Sequence, residues 1–322
     1  MSAKMNAKFL ALSGGVGGAK LCLGLDRILP AGALSVLVNT GDDFTHLGLR
    51  ISPDIDTVLY TLGGLSNREL GWGRADETWH FMEAMEMLGG ASWFRLGDRD
   101  LALHVERTRR LAEGETLSEV TLAIAERLAL HTAVLPMSDD SVATMVLTDE
   151  GELPFQDYFV RRRCMPAVKH LRFAHAADAT VSKAAMNALR DPALQAIVIA
   201  PSNPYLSIDP ILALPGMTDA IRATGVPVIA VTPIIGDSAV KGPTAKIMRE
   251  LGIAPSPLSI AAHYRDLIDG FVLDRTDQAL AADFDVPVHV CNTLMHSLED
   301  RTQLAGEVLD FADRLRLQRR RA

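Results

Sequence analysis

Five short apolar runs, each ending in a polar tip, constrain this chain more than any other feature. They lie at Lys8–Leu12, Leu34–Asn39, 133–137, 195–201 and 227–233. The tips that follow read SGGVGG, NTGDDFTHLG, MSDD, PSNPYLS and TPIIGDS. Continuous Val, Ile, Leu and Ala, without strict alternation, mark strands buried on both faces. Further runs at 143–149 and 286–292 also read as strands. Helical spacing separates them, from Ala19 to Leu29 and at about 76–88, 116–129, 178–190, 243–251, 259–268 and 297–316. This alternation predicts an α/β fold, Rossmann-like, with a mainly parallel sheet and helices on both faces. Residues 140 to 175 depart from it, with alternating polar and apolar positions around an Asp149-Glu150-Gly151 turn. That segment is expected to form a small β-rich and helical insertion within one domain spanning 1–322.

Ligands of open α/β sheets bind beyond the carboxyl ends of the strands. One or two polar tips are ordinary turns. Five rich in Gly, Ser, Asn and Asp point to a single polar crevice tolerant of phosphate. The first tip, Ser13 to Gly18, lets backbone N–H groups approach an anion ahead of a helix N-terminus. It matches neither common phosphate fingerprint. Gly18-Ala19-Lys20-Leu21 lacks the Lys-Ser/Thr pair of a P-loop, and a dinucleotide fingerprint starting at Gly15 ends on Lys20.

Bulk composition narrows the partners. The 322 residues are 48% hydrophobic and 22% charged, a globular balance, and the net charge of −8 argues against a nucleic-acid partner. Cys22, Cys164 and Cys291 form no CxxC pair and read as reduced thiols. The start, MSAKMNAK, does not read as a signal peptide, and no run of about 18 apolar residues suggests a membrane span. A cytoplasmic protein is expected. The basic end, RLRLQRRRA, reads as the favourable C-terminus of a helix.

The second tip carries the chemistry. Asp42, Asp43, Asp54 and Asp56 fall within fifteen residues. One of them, Asp56, is explained as the cap of a helix starting near Thr57. Four are not. Carboxylates beside a phosphate loop are the hard oxygen ligands Mg²⁺ takes, and one could instead orient or deprotonate an attacking hydroxyl. FRLGDRD, 94–100, reads as a charged turn in which Arg95 either forms salt bridges or contacts a phosphate or polar ring. Ser138, Asp139 and Asp140 form a strand-end tip or a simple turn. Asn203, between Ser202 and Pro204, presents an amide from a rigid turn. Gly236, Lys241, Gly242 and Lys246 make a flexible cationic segment suited to nucleotide phosphates.

In order, SGGVGGAKL, NTGDD…ISPDIDTVLYTL, LGDRD, LPMSDD, PSNPYLSI…LPGM and TPIIG…KGPTAKIM closely resemble the 2-phospho-L-lactate transferase family of coenzyme F420 biosynthesis. The resemblance runs over nearly the whole chain. It implies an enzyme that moves a phospholactyl, phosphoenolpyruvyl or phosphoglyceryl group from a guanosine diphosphate-activated donor to the terminal ribityl hydroxyl of the deazaflavin Fo. GMP leaves, and Mg²⁺ is required. It also implies that Asp56 and Arg95 contact Fo, with Asp54 beside them. The guanosine portion falls to Gly14, Gly15, Gly17, Ser202, Asn203 and Gly236, and a homodimer is expected. On this reading Asp42, Asp43 and Asp54 hold the metal, while Asp56 orients the hydroxyl. The rival is a regulatory protein of the related gluconeogenesis-factor group, which binds nucleotide-sugars on the same fold. An NAD-dependent oxidoreductase rests only on the first turn, and Lys20 counts against it.

Overall fold

Six of the seven apolar runs enter one sheet, and a seventh strand joins them. The computed structural model describes residues 7–67, 72–240 and 242–319. Seven strands form one sheet: β1 Lys8–Ser13, β2 Leu34–Val38, β3 Ala133–Pro136, β4 Leu194–Ile199, β5 Val228–Val231, β6 Gly270–Asp274 and β7 Val288–Cys291. Their spatial order is 3-2-1-4-5-6-7, and every pairing is parallel. The order reverses at β1, which lies between β2 and β4. That reversal opens a crevice at the carboxyl edge.

Alternate residues of each strand serve opposite faces. Leu10 and Leu12 of β1 join Leu37, Ile197 and Ile199 in one core. Ala11 joins Val36, Val38, Ala196 and Val198 in the other. The second face carries α1, Gly15–Ile28, and the long C-terminal helix Leu298–Arg319. Its small residues let the helices come close.

Strand β6, Gly-Phe-Val-Leu-Asp, is buried throughout and was not expected from the sequence. Its five residues are too short a run to stand out. The run at 143–149 is a strand but not part of this sheet. Ala143–Thr148 pairs antiparallel with Gly151–Pro154 and Val168–Ala174, forming the three-stranded insertion. Val142, Val146, Phe155, Tyr158 and Val168 of this region bury into the same core as Leu10.

Two elements near the crevice also depart from expectation. After β2 the chain makes a hairpin, Phe44–His46 against Leu49–Ile51, and Leu47 and Gly48 turn it with positive φ. The helix expected near Thr57 is α2, Pro53–Leu62, with Ser52 as N-cap and Pro53 at its first position. Asp56 therefore sits inside the first turns and does not cap. Two helices follow, α3 His80–Met87 and α4 Asp98–Ala112. The charged turn expected at 94–100 is the start of α4, whose buried residues are His104 and Arg107. No helix among the described residues is long and apolar enough to cross a membrane.

Candidate functional site

The crevice is built where the tips of β1, β2 and β4 meet, and Asn39 joins them. Its side-chain amide donates to Asp54 Oδ2 at 3.0 Å and to the Leu206 carbonyl at 3.2 Å. Its carbonyl oxygen accepts from the Gly41 N–H at 2.7 Å. Asn39 is wholly buried, and nothing in its local sequence sets it apart from the other polar tip residues.

Asp54 lies across the N-terminus of α1. Its Oδ1 accepts from the Gly15 N–H at 2.7 Å, so it caps α1 rather than its own helix. Gly15 has φ +64°, a conformation that favours glycine. A Cβ on Gly14 would stand 2.4 Å from Asp54 Oδ2, and one on Gly17 would stand 2.6 Å from the Pro201 carbonyl oxygen. These glycines let the carboxylate and the β4 tip close on the loop. Ser202 Oγ accepts from the Gly14 N–H at 3.1 Å and donates to the Gly14 carbonyl at 2.8 Å, so it staples the two tips. Asn203 caps the turn after β4 through its oxygen, accepting from Tyr205 and Leu206. Its buried Nδ2 has no partner and remains a free donor.

The carboxylates of the second tip are buried with few cations near them. Burial and the Asp54 charge push the Asp42 carboxyl well above the usual range. Burial likewise raises Asp43 to about 8 and Asp54 to about 6. Oδ1 of Asp42 and Oδ1 of Asp43 are buried without a hydrogen-bond partner. Asp42 and Asp54 interact electrostatically beside Asn39. Asp43 turns the other way, accepting from Ser52 Oγ at 2.6 Å. Among the described residues no three Asp, Glu, His or Cys side chains converge as a ready metal cage. Asp42, Asp43 and Asp54 thus do not close on one point. Mg²⁺ commonly takes one or two carboxylates together with substrate phosphates and water, and Asp42 with Asp54 fits that pattern.

Asp56 has a different environment. Both of its oxygens meet the Arg107 guanidinium, Oδ2 at 3.1 Å from Nη1, and His104 Nδ1 lies 3.7 Å from Oδ2. Arg107 is fully buried. His104 Nε2 lies 3.2 Å from Asp100, which also accepts from the Tyr60 hydroxyl. This network ties α2 to α4. Sequence reasoning missed Arg107 and His104 because they occupy core positions normally taken by apolar residues. Asp100, His104, Arg107 and Leu111 do recur at helical spacing, which was the available signal.

The remaining expected residues divide. Arg95 is exposed and lies over the Trp79 ring, 4.4 Å from its centroid. The Gly236 N–H is held by both oxygens of Asp277, at 3.1 and 2.9 Å, so that amide already has its acceptor. Lys246 binds Glu250, the Pro166 carbonyl and the Tyr158 hydroxyl, anchoring the insertion instead of facing a phosphate. Lys241 lies outside the described residues. Asp139 and Asp140 accept from Ser118 and Thr180 and hold turns. Beside them, Thr40, Asp43, Arg50 and Ser52 line a cavity of about 50 Å³.

A family model for 2-phospho-L-lactate transferase CofD matches residues 9–297. A phosphoenolpyruvate transferase of Streptomyces coelicolor is 38% identical over 96% of this chain and 99% of its own. A 2-phospho-L-lactate transferase of Methanosarcina mazei is 38% identical over 93% of this chain and 99% of its own. A crystal structure of a UPF0052-family protein from Bacillus halodurans superposes with a TM-score of 0.60 at 15% identity, covering 94% of this chain and 98% of that one. That last likeness concerns the fold alone. The family match and these relatives show that the chain belongs to the 2-phospho-L-lactate transferase family.

Proposed function

We propose that this protein transfers a phosphorylated three-carbon acid from a guanosine diphosphate-activated donor to the terminal ribityl hydroxyl of the deazaflavin Fo. GMP leaves, and the reaction serves coenzyme F420 biosynthesis. The observation that carries the reading is the buried Asp42–Asp54 pair at the sheet's switch point, against the N-terminus of α1. Mg²⁺ held by these two carboxylates would neutralise charge on the donor's phosphates.

The chain's own residues position the rest. Phosphoryl transfer through a loose transition state needs alignment and charge neutralisation more than covalent work by the protein. Gly14, Gly15 and Gly17 bring the loop close, and the first turn of α1 carries amides with no acceptor inside the helix. Ser202 supports that loop, while Asn203 Nδ2 donates to the nucleotide. With Gly236 held by Asp277, the β5 tip contributes shape rather than an amide. Asp56, ion-paired to Arg107, keeps lone pairs that accept the ribityl hydroxyl and orient it. Arg95, stacked on Trp79, offers a flat cationic surface to the deazaflavin. Asp43 lines the cavity beside the pair rather than holding the metal with it.

Incubation with Fo, the activated donor and Mg²⁺ tests the reading through GMP release. Retention of a nucleotide-sugar with no GMP formed would favour the regulatory alternative. Asp56→Asn should cripple turnover, and because it leaves the buried Arg107 without its carboxylate it should also lower stability, so turnover is read on a variant shown to be folded by circular dichroism; normal turnover would remove that role. Arg95→Ala should weaken Fo binding in a fluorescence titration, and unchanged affinity would take Arg95 out of the acceptor site. The bacterial and archaeal relatives named above are equally similar, so their names leave the acid open. Competition among donors, read by mass spectrometry of the product, decides it. Light scattering tests the expected homodimer.

A further inference from the structure

We propose that the cavity beside Asp43 is the subsite for the carboxylate of the donor's acid, and that Arg50 is its recognition residue. The inference rests on the transferase reading and adds to it the group by which the acid is told apart from other esters of the same nucleotide. Three observations converge. Arg50 lines the cavity, is half-buried, and its guanidinium makes no hydrogen bond and no direct ion pair among the described residues, although its charge acts on Asp43 across the same wall. Thr40, only 2% exposed, lines the same cavity with its Oγ1 unpartnered. The carboxylates of Asp139 and Asp140 on the rim are already held by Ser118 and Thr180. Arg50 is therefore the cation of this cavity, offset from Asp43 rather than bonded to it, and Thr40 brings a hydroxyl without a partner.

Size and shape select the ligand. A cavity of about 50 Å³ holds about three water-sized groups, the extent of one carboxylate and less than a phosphate with its four oxygens. A guanidinium binds a planar carboxylate through two parallel N–H bonds, and Thr40 can donate a further one. Position agrees as well. The wall residues Thr40, Asp43 and Ser52 come from the same tip and helix start that carry Asn39, Asp42 and Asp54, and on this proposal the ester phosphate lies toward the Asp42–Asp54 pair. Lactate, enolpyruvate and glycerate share this carboxylate, whereas a nucleotide-linked neutral hexose has none.

The backbone fixes Arg50 independently of its side chain. Its N–H donates to Thr108 Oγ1 at 2.8 Å, and it pairs with Thr45 across the hairpin. Arg50→Met and Arg50→Lys should therefore fold, which circular dichroism checks. The test compares two donors, the guanosine diphosphate esters of lactic acid and of ethanol, which differ by the carboxylate. The wild type should favour the lactyl ester by about 10- to 100-fold in kcat/KM, the range of a charge-assisted hydrogen-bonded contact. In Arg50→Met that ratio should collapse toward one, with Arg50→Lys intermediate, while GDP affinity measured by calorimetry stays within about twofold. Equal use of both esters by the wild type overturns the inference. So does an unchanged ratio in Arg50→Met. A marked loss of GDP affinity in Arg50→Met also overturns it, and gives the guanidinium to a phosphate. Absence of GMP release from either ester in the wild type defeats the transferase reading, and the inference with it. Should Arg50→Met not fold, Arg50→Lys carries the same comparison.

Discussion

Buried carboxylates that no cation pairs directly are destabilising, and this protein concentrates them where phosphate chemistry is proposed. Asp43 and Asp54 hold protons in the folded chain at pH values where the unfolded chain has lost them. Their folded values lie above the ordinary 3.8, so their contribution to stability falls as pH rises, up to about 6 for Asp54 and about 8 for Asp43. Metal-free thermal melts in EDTA should show the difference between Asp43→Asn and wild type widening in favour of the variant across that window. Added Mg²⁺ should raise the wild-type Tm most at the alkaline end, because deprotonated carboxylates bind it. Asp42→Asn should be more stable than wild type without metal at pH 8, by about 1–3 kcal/mol in denaturant unfolding, and lose the Mg²⁺ increment and turnover. Arg107 is the opposite case. Arg107→Met strands Asp56 in the interior and should cost about 3–5 kcal/mol in denaturant unfolding, with Arg107→Lys less affected.

Elements show why sequence pattern succeeded in some places and failed in others. The strands β1 to β5 and the helices at 117–127, 183–189 and 244–250 follow apolar periodicity, and that periodicity placed them. Helix α4 does not, because its core face is Asp100, His104 and Arg107, satisfied by Asp56 and Tyr60 of α2, by the Arg50 carbonyl and by one another. Between α1 and the C-terminal helix the restriction is steric. A Cβ on Gly24 would stand 2.1 Å from the Arg301 carbonyl oxygen, a backbone atom that cannot swing aside. Gly24→Ala should force these helices apart and destabilise by about 1–3 kcal/mol, measured by denaturant unfolding.

For the whole molecule, the sheet separates two cores, and the insertion shares one of them. Val146, Tyr158 and Val168 pack in the same cluster as Leu10, Leu12 and Ile199. Lys246 adds a polar tether from the helix at 244–250 to the insertion. Calorimetry should therefore show one transition, with calorimetric and van't Hoff enthalpies equal. A separate low-temperature transition for residues 143–174 would show that the insertion unfolds on its own.

By itself the sequence determined the α/β class, the glycine turn after β1 and the acidic tip after β2, because those depend on local periodicity and turn chemistry. Only the tertiary structure decided what each carboxylate does. Asp54 caps a helix thirty-nine positions away in sequence, and Asp56 is ion-paired to Arg107, fifty-one positions away. Gly236 is held by Asp277, and Arg50 stands at a cavity wall with its charge acting on Asp43. Such pairings arise from the order in which strands and helices pack. A side chain's charge, burial and free lone pairs are set by those distant neighbours, not by the residues beside it in the chain.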